Sequence, residues 1–485
     1  MVACPGRREL SDDERLSVRG GVCSVSAPTL ADTPVALREL RGRRRVPWMK
    51  APVFELLVGA ILVFGLNIAF AVAIVVANIA VPHAVLKDRI QHFIATGEVD
   101  ARNWPVDFTG NQLDRYSDCT GLSLNLMGDT NRGPIELLSD ADVVGSRDDG
   151  RNACEVLVEM QANEEPQLPR VKYFRYWHGY QILTKPLLPF VDLTTLRMAS
   201  GLLYLLALGG FFVVTATGRH RLLDGAFLAA GFAFLTGAEN LNGVMVHNLA
   251  LLATFVGGLA MHRAALGASY SRLFLAGIAV SACIAYIDEN YVPPLAAMVL
   301  VLAAIAARCK AGCESAKSLG QTFVVVLFAW AYGYLGTVLL RVGVSALLLP
   351  DPADGIRDFV AQLMLRMNGG VPWETHGFFA SILRNSKLVI YNPILPVVLV
   401  GTAMLVATRM AAGWRFAMPD RASFYVLIAA LPFLWYMTFR NYAVIHAWFM
   451  YRWAAFSVVC CVGGVLACLQ SPPIEVRRPA GSTIA

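Results

Sequence analysis

Charged side chains are scarce in this sequence. Asp, Glu, Lys and Arg make up 16% of the 485 residues, and hydrophobic residues make up 56%, above the roughly 45–50% that is usual for a soluble domain. The hydrophobic residues fall in runs of about 20, the length that a helix needs to cross a bilayer. They do not alternate with polar residues as the strands of a membrane β-barrel do. We therefore predict an all-α, polytopic membrane protein.

Motifs that identify several other protein classes are also missing. The chain has no P-loop, no G-x-G-x-x-G after a strand, no nucleophile elbow and no internal repeat, so we expect no nucleotide hydrolysis and no separate soluble enzyme domain. Its ten cysteines show no paired C-x2-C spacing, and no two histidines are spaced as metal ligands, so we predict metal independence. The net charge of +6 lies mainly in loops and the N-terminal tail, which argues against a nucleic-acid partner.

Hydropathy predicts about ten spans within residues 51–470. They lie near 52–81, 196–216, 221–238, 243–261, 272–287, 291–307, 319–342, 388–408, 422–438 and 447–469. Lys and Arg concentrate in alternate short loops, whereas the loops ENLNGVMVH, IDENYVPP and TFRNYAVIH hold one Arg among them. Because cytoplasmic loops carry the excess of positive charge, we predict two cytoplasmic tails, a disordered one at 1–50 and a second at 471–485.

Two long polar segments then lie outside the cytoplasm. Residues 83–195 form the first loop and residues 345–387 the second, and we predict short amphipathic helices at the membrane surface in both. Cys119 and Cys154 fall in the first loop, where an oxidising compartment permits a disulfide. The sequence leaves open whether that disulfide forms.

The first loop contains LDRYSDCTGLSLNLM, in which Asp114 and Asp118 are four residues apart. On a helical turn both carboxylates point the same way, and a carboxylate in a partly desolvated cleft can accept a proton from a hydroxyl. We therefore name both as candidate catalytic bases. Solvation, or pairing with Arg115 and Arg132, is the alternative.

An aromatic segment follows in the same loop. YFRYWHGYQILTKPLLPF includes Tyr176, Trp177 and His178, which suit sugar faces or lipid headgroups but also suit an interfacial aromatic belt.

Ionisable groups near membrane depth tend to face a cavity, bind substrate or pair with one another. Those that we predict to bind sugar or acceptor are Glu239, Asp288 and Glu289.

The segment TFRNYAVIHAWFMYR places Arg440, His446 and Arg452 near the outer end of the last span. Together they could neutralise the phosphate of a lipid carrier that arrives from the bilayer. Internal pairing with Glu239, Asp288 or Glu289 is equally open.

The arrangement of a first span, a large outer loop with an acidic residue and many further spans resembles GT-C-type membrane glycosyltransferases over residues 50–470. The pieces LDRYSD, RYWHGYQILTKPLL, YNPILP and HAWFMYR are similar to stretches in poorly characterised bacterial membrane proteins of that superfamily. The chain departs from better known members because no DD or DE pair stands in its first loop, and this leaves the choice of base open.

The resemblance implies an inverting glycosyltransferase of the bacterial plasma membrane, with its active site on the extracytoplasmic face. The donor would be a polyprenyl-phosphate sugar, for example a pentose such as arabinofuranose, and the acceptor a glycan, a lipid or a protein. Asp118 or Asp114 would be the general base. We expect a monomer that contacts membrane lipid and needs no cofactor.

Two other functions fit the same topology. A polysaccharide polymerase or ligase also uses many spans and Arg and His residues on lipid-linked glycans. A transporter or flippase would show interrupted helices in corresponding halves, and the Pro293-Pro294 and Asn392-Pro393 sites keep that alternative open.

Overall fold

The computed structural model describes residues 51–101, 115–126, 138, 142–144, 153–162, 170–172, 176–216, 220–237, 244–267, 269–288, 290–312, 315–348, 352–368, 377 and 379–471. The chain divides into two compact units, residues 1–61 and 62–485. The described part of the first unit is residues 51–61, the start of the first helix. The predicted disordered tail at 1–50 lies outside the described residues, as do residues 472–485.

The described structure is almost entirely helical. In chain order the helices are α1 (Ala51–Ala80), α2 (His83–Ala95), α3 (Arg115–Leu126), α4 (Ala153–Ala162), α5 (Gln181–Leu187), α6 (Leu193–Thr215), α7 (Arg221–Leu235), α8 (Met245–Ala265), α9 (Tyr270–Ile287), α10 (Pro293–Lys310), α11 (Ala316–Leu348), α12 (Pro352–Asn368), α13 (Ala380–Ile390), α14 (Ile394–Ala411), α15 (Asp420–Thr438), α16 (Arg440–Ile445) and α17 (Ala447–Ala467). Two short antiparallel strand pairs accompany them, β1 (Asp142–Val144) with β2 (Arg170–Lys172) and β3 (Arg415–Phe416) with β4 (Leu469–Gln470).

Nine of the described helices are long and apolar enough to cross a membrane, as a polytopic membrane protein requires. They are α1, α6, α8, α9, α10, α11, α14, α15 and α17. Most of the predicted spans correspond to one of these helices, but the predicted span 221–238 does not reach that length. It forms α7, which has 15 residues and a rise of about 22 Å, against a hydrocarbon core of about 30 Å.

The helix α7 ends early because of the glycine that follows it and of side chains that bond its last carbonyl groups. Gly237 follows the helix with a φ of 85°, a left-handed conformation that glycine adopts without steric cost and that ends helices. The last carbonyl groups are bonded by side chains from elsewhere in the chain. Asn392 Nδ2 donates to Leu235 O at 3.0 Å and Arg452 Nε donates to Thr236 O at 3.2 Å. The end of α7 is therefore satisfied although the helix is short.

The core of the bundle is built around α10. Every side chain from Pro293 to Cys309 is buried, and α10 contacts α8, α11 and α15. Its sequence is rich in alanine, which lets neighbouring helices approach closely where the surrounding lipid gives no hydrophobic driving force. By contrast, only 22% of the α1 segment and 17% of the α14 segment are buried, so these two helices lie at the periphery.

The described part of the first loop packs around a hydrophobic core that it shares with the first turns of α6 and α8. The helices α2, α3 and α4 pack around buried side chains that include Leu86, Phe93, Leu122 and Leu157. A disulfide joins Cys119 of α3 to Cys154 of α4, which decides the question that the sequence left open. The helix α3 is buried within the protein from Asp118 to Asn125, and a position of this loop's helices at the membrane surface stays a prediction.

The second long segment agrees better with the prediction of amphipathic helices. On α12 the side chains of Ile356, Val360 and Met364 are exposed and are spaced by four residues, so they form one apolar stripe. On the other side of the helix, Arg366 contacts Tyr176 and Tyr442. This distribution is typical of a helix that lies along a membrane surface.

Contacts between helix termini define two ends of the bundle. At one end Tyr270 Oη donates to Ser318 O at 3.3 Å, and Ala316 N donates to Asp420 Oδ2 at 2.9 Å. We name this the basic end because it carries the residues of the predicted cytoplasmic loops, namely Arg221, Arg263, Arg272, Arg308, Lys310, Lys317, Arg409, Arg415 and Arg421. The opposite end, where Asp288 and Arg452 lie, is named the site end.

Replacement of Gly333 by alanine should destabilise the bundle. A Cβ atom at this position would overlap Ile278 O and lie 2.9 Å from Ile278 Cα, so α9 and α11 would have to separate. We expect a loss of about 1–3 kcal/mol, measured as a lower melting temperature of the purified protein in detergent. Gly343→Ala on the same helix is the matched control, because nothing lies within 4 Å of its added Cβ. Equal melting temperatures for the two variants would contradict this packing.

Candidate functional site

A cleft opens at the site end between α6, α7 and α8. Its atom-free space, which includes the open solvent at its mouth, is about 420 Å³, and we name it the Arg452 cleft. Its lining combines aromatic and polar side chains with a few apolar ones: Tyr204, Leu205, Ala233, Thr236, Gly237, Val244, His247, Asn248, Leu251, Tyr291 and Arg452. A concave surface with few, convergent polar groups is the usual form of a small-molecule site.

Arg452 provides the positive charge of the cleft. It is 7% exposed, its Nε donates to Thr236 O at 3.2 Å, and its Nη1 donates to Tyr291 Oη. Among the described residues, Nη2 donates no hydrogen bond and no carboxylate pairs with the guanidinium. Both of its hydrogen-bond partners are neutral, so they do not balance the positive charge of the guanidinium. An anion that enters the cleft can therefore bind to it.

An imidazole faces the same space. His247 lies in the first turn of α8 and its ring stacks on Tyr291, with ring centroids 3.7 Å apart and an angle of 11° between the planes. Phe449 covers this pair, with its ring centroid 5.8 Å from that of His247. None of the described residues that line the cleft carries a carboxylate. Among the described lining residues, His247 is therefore the one whose side chain type serves most often as a general base.

Asp118 lies behind the wall of the cleft and does not line it. Its side chain is fully buried, Arg197 Nε donates to Oδ2 at 2.8 Å, and Val246 N donates to Oδ1 at 3.3 Å. Val246 is the second residue of α8, so Asp118 caps this helix from another segment of the chain. Arg197 Nη1 also donates to Glu98 O at 2.9 Å. The carboxylate thus fixes the turn that presents His247, and a catalytic role for it stays a prediction.

A second group of side chains lies at the site end beyond Tyr291. Arg366 Nη2 donates to Tyr176 Oη, and its guanidinium carbon lies 5.0 Å from the ring centroid of Tyr442 and 5.7 Å from that of Tyr176. Burial raises the pKa of Tyr442, although the nearby Arg366 acts to lower it. The phenol therefore remains a neutral hydrogen-bonding group that holds α12 against the bundle.

Asp288 links this group to the cleft. Tyr334 Oη donates to Asp288 Oδ2 at 2.5 Å, while Tyr291 N donates to Oδ1 at 2.7 Å. Val292 N donates to the same carboxylate at 3.2 Å. Asp288 therefore caps the start of α10 and fixes the backbone of Tyr291, so its described contacts are structural.

The structure separates the predicted phosphate-binding residues. Arg452 lines the cleft. His446 contacts Tyr442, with ring centroids 4.4 Å apart, and Phe449, at 5.2 Å, so it lies beside the cleft and does not line it. Arg440 is half-buried, and its side chain makes no hydrogen bond or ion pair within the described part of the chain. Of the three basic groups, only Arg452 is among the described residues that line the cleft.

The predicted sugar-binding residues are mostly buried in contacts with the protein. Trp177 is 2% exposed and lies under Arg341, whose guanidinium carbon is 5.0 Å from its ring centroid. His178 is also buried and has a φ of 54°, a left-handed conformation that is strained for histidine. Its ring meets those of Tyr176 and Tyr180 edge to face. Asp114, Glu239 and Glu289 lie outside the described residues.

One group of described residues could hold a metal ion. His92, Glu98 and Asp192 bring one ligand atom each to within 4.8 Å of one another. Arg89 Nη2 already contacts Asp192 Oδ1 at 2.8 Å, and Thr194 N donates to Glu98 Oε2 at 2.7 Å. A cation would have to compete with that guanidinium, and metal independence stays a prediction.

Sequence reasoning missed His247, Tyr291 and Arg197. The signal for Arg197 was available, since it falls inside the predicted span 196–216, where a charged side chain needs a partner. The same rule had selected Arg452. Nothing in the loop sequences showed that His247 and Tyr291, which are 44 positions apart in the chain, stack on each other.

The two ion pairs of this region allow a matched comparison. Asp118→Asn leaves Arg197 with a weaker partner in a fully buried site, where breaking a pair costs about 3–5 kcal/mol. Asp192→Asn removes a pair with Arg89 in which the side chains are 56% and 25% exposed, and such pairs contribute at most about 1 kcal/mol. We expect a clearly lower melting temperature for the first variant alone. Similar small changes in both would show that Asp118 does not fix α8.

Lys185 provides a test by pH. Its side chain is 1% exposed, Nζ donates to Asn78 Oδ1 at 2.5 Å, and burial lowers its pKa from 10.5 to about 8. Between these two values the unfolded chain binds more protons than the folded one, so stability rises with pH. We expect the melting temperature of the wild type to rise across that window relative to Lys185→Met. Lys387 is exposed, so Lys387→Met is the control and its melting temperature should change with pH as that of the wild type does. If the melting temperature of Lys185→Met also changes with pH as that of the wild type does, Lys185 is not the group that titrates.

No protein-family model matches the chain, and comparison with curated proteins and with solved structures finds no match.

Proposed function

We propose that the protein is an integral membrane glycosyltransferase that takes its sugar from a polyprenyl-phosphate donor in the Arg452 cleft. The observation that carries this proposal is the buried guanidinium of Arg452, which lines the cleft with Nη2 unbonded and without a carboxylate partner among the described residues. Arginine suits phosphate because its planar N–H groups match the phosphate oxygens.

The position of the cleft supports a substrate that is held by a lipid. The cleft lies between α6 and α7, and α7 ends at Leu235, short of the length that crosses a bilayer. Leu202 and Leu206 of α6 and Phe234 of α7 have exposed side chains, as expected for a surface that faces lipid. A phosphate carried on a membrane lipid can therefore approach Arg452 from the side, whereas a soluble nucleotide sugar has no binding motif in the chain.

The groups of the cleft can perform an inverting displacement. His247 accepts the proton of the acceptor hydroxyl, whose oxygen attacks the anomeric carbon as the bond from that carbon to the phosphate oxygen breaks. The electron pair of that bond leaves with the lipid phosphate, and Arg452 stabilises the charge that develops there. Asp118 acts as a positioning residue through the first turn of α8. His247 takes the role predicted for Asp118 because Asp118 already accepts hydrogen bonds from Arg197 and Val246.

The side of the membrane that each end faces, and with it the class of acceptor, follows from the resemblance to GT-C-type glycosyltransferases and from the distribution of Lys and Arg. The basic end would face the cytoplasm, in keeping with the rule that inner loops carry the positive charge. The site end would then face outward, so the acceptor is an extracytoplasmic glycan, lipid or protein.

The test is a transfer assay with the full-length protein in proteoliposomes and a panel of polyprenyl-phosphate sugars that includes the arabinofuranosyl compound. We expect one donor to be used, and we expect Arg452→Gln and His247→Gln to lower turnover by about 10²-fold or more, the usual effect of losing charge stabilisation or a general base. Arg440→Gln is the matched control, because Arg440 does not line the cleft, and should retain turnover within about threefold of the wild type.

Two results would contradict the proposal. One is full turnover by Arg452→Gln with a donor that the wild type uses. The other is elongation of a lipid-linked glycan without use of any monosaccharide donor, which would instead identify a polymerase or ligase.

A further inference from the structure

A second arginine lies at the basic end, at the opposite end of α10 from the cleft, and has no counter-charge among the described residues. Arg308 lies in the last turn of this helix and is 5% exposed. Its Nε and Nη2 atoms are buried and have no hydrogen-bond partner in the described structure. The ring of Tyr270 faces the guanidinium, with its centroid 5.1 Å from the guanidinium carbon.

Another arginine at the same end shows what a satisfied buried guanidinium looks like. Arg409 is 6% exposed and donates from both Nη1 and Nη2 to the two carboxylate oxygens of Asp224. Arg308 is buried to a similar extent but pairs with no carboxylate in the described part of the chain, and the face of one aromatic ring does not replace two hydrogen bonds. A buried positive charge with unused donors is unfavourable unless an anion completes it.

We propose that Arg308 binds the phosphate of an anionic phospholipid at the basic end of the bundle. The depth of Arg308 favours a lipid as the source, because the last turn of a membrane-spanning helix lies at the level of the headgroups. Tyr270 is half-buried at the start of α9 and covers one face of the guanidinium. A displacement of this ring, which would break the hydrogen bond from Tyr270 Oη to Ser318 O, would give the headgroup access to the two N–H groups that lack partners in the described structure.

This site is independent of the function proposed above. It lies at the opposite end of α10 from Tyr291, and it would bind lipid whether or not the cleft transfers sugar. Binding of a lipid phosphate would give a role to the buried charge of Arg308, which the proposed sugar transfer does not use.

The test measures the melting temperature of the purified full-length protein in a neutral detergent, alone and with phosphatidylglycerol, phosphatidylcholine or inorganic phosphate. We expect phosphatidylglycerol to raise the melting temperature of the wild type by several degrees and the other two additions to leave it unchanged. Arg308→Met should melt no lower than the wild type in detergent alone, because it removes an unpaired buried charge, and should lose the response to phosphatidylglycerol.

Arg272→Met is the matched control, since Arg272 is exposed at the same end, and should respond as the wild type does. If Arg308→Met does not fold, native mass spectrometry of Arg308→Lys provides the second measurement, with fewer bound phosphatidylglycerol molecules than the wild type as the expected result. The proposal is overturned if Arg308→Met keeps the full lipid response, if phosphatidylcholine stabilises equally, if phosphate alone gives the whole shift, or if Arg308→Lys retains all bound lipid.

Discussion

A guanidinium group inside a bundle that crosses a membrane must have its charge and its N–H groups satisfied, because the surrounding hydrocarbon offers neither water nor counter-ions. Five arginines of the described structure are buried, namely Arg197, Arg308, Arg341, Arg409 and Arg452. The way in which each is satisfied connects the fold to the candidate sites. Arg197 and Arg409 have carboxylates, and these two pairs fasten helices together at opposite ends of the bundle. Arg341 donates to the carbonyl oxygens of Tyr176 and Leu138 and fixes part of the first loop.

Arg452 and Arg308, like Arg341, pair with no carboxylate of the described residues, but Arg452 lines a cleft and Arg308 has two N–H groups without a partner in the described structure. Arg452 is held by a helix-terminal carbonyl and a phenol beside an open cleft, while Arg308 is held by an aromatic ring alone. Both positions are suited to a phosphate, and in each case the neighbouring geometry suggests a phosphate that arrives on a lipid. In both places a buried guanidinium that needs an anionic partner would bind a lipid phosphate, that of a substrate at the site end and that of a structural lipid at the basic end.

Hydrophobic runs predicted the membrane-spanning helices well because a span of about 20 apolar residues is a local property of the sequence. The predicted span 221–238 was too long, since its end at Leu235 depends on Gly237 and on two side chains, Asn392 and Arg452, that lie far away in the chain. The oxidised pair of Cys119 and Cys154 was compatible with the sequence, but only the packing of α3 on α4 brings the two thiols together.

The candidate site was less predictable for the same reason. Asp118 stood out as a carboxylate in an outer loop, but it accepts hydrogen bonds from Arg197 and Val246, which are 79 and 128 positions away. The carboxylate was expected on a cavity wall and lies behind one. His247 and Tyr291 looked like ordinary loop residues, and only the three-dimensional arrangement places their stacked rings next to Arg452.

The most direct test of the central idea, that the Arg452 guanidinium is held ready for a lipid phosphate, is an experimental structure of the protein in lipid nanodiscs with polyprenyl phosphate bound. We predict density for the phosphate inside the cleft, within hydrogen-bonding distance of Arg452 and close to His247. A phosphate bound elsewhere, with the guanidinium of Arg452 instead paired to Glu239, would contradict it.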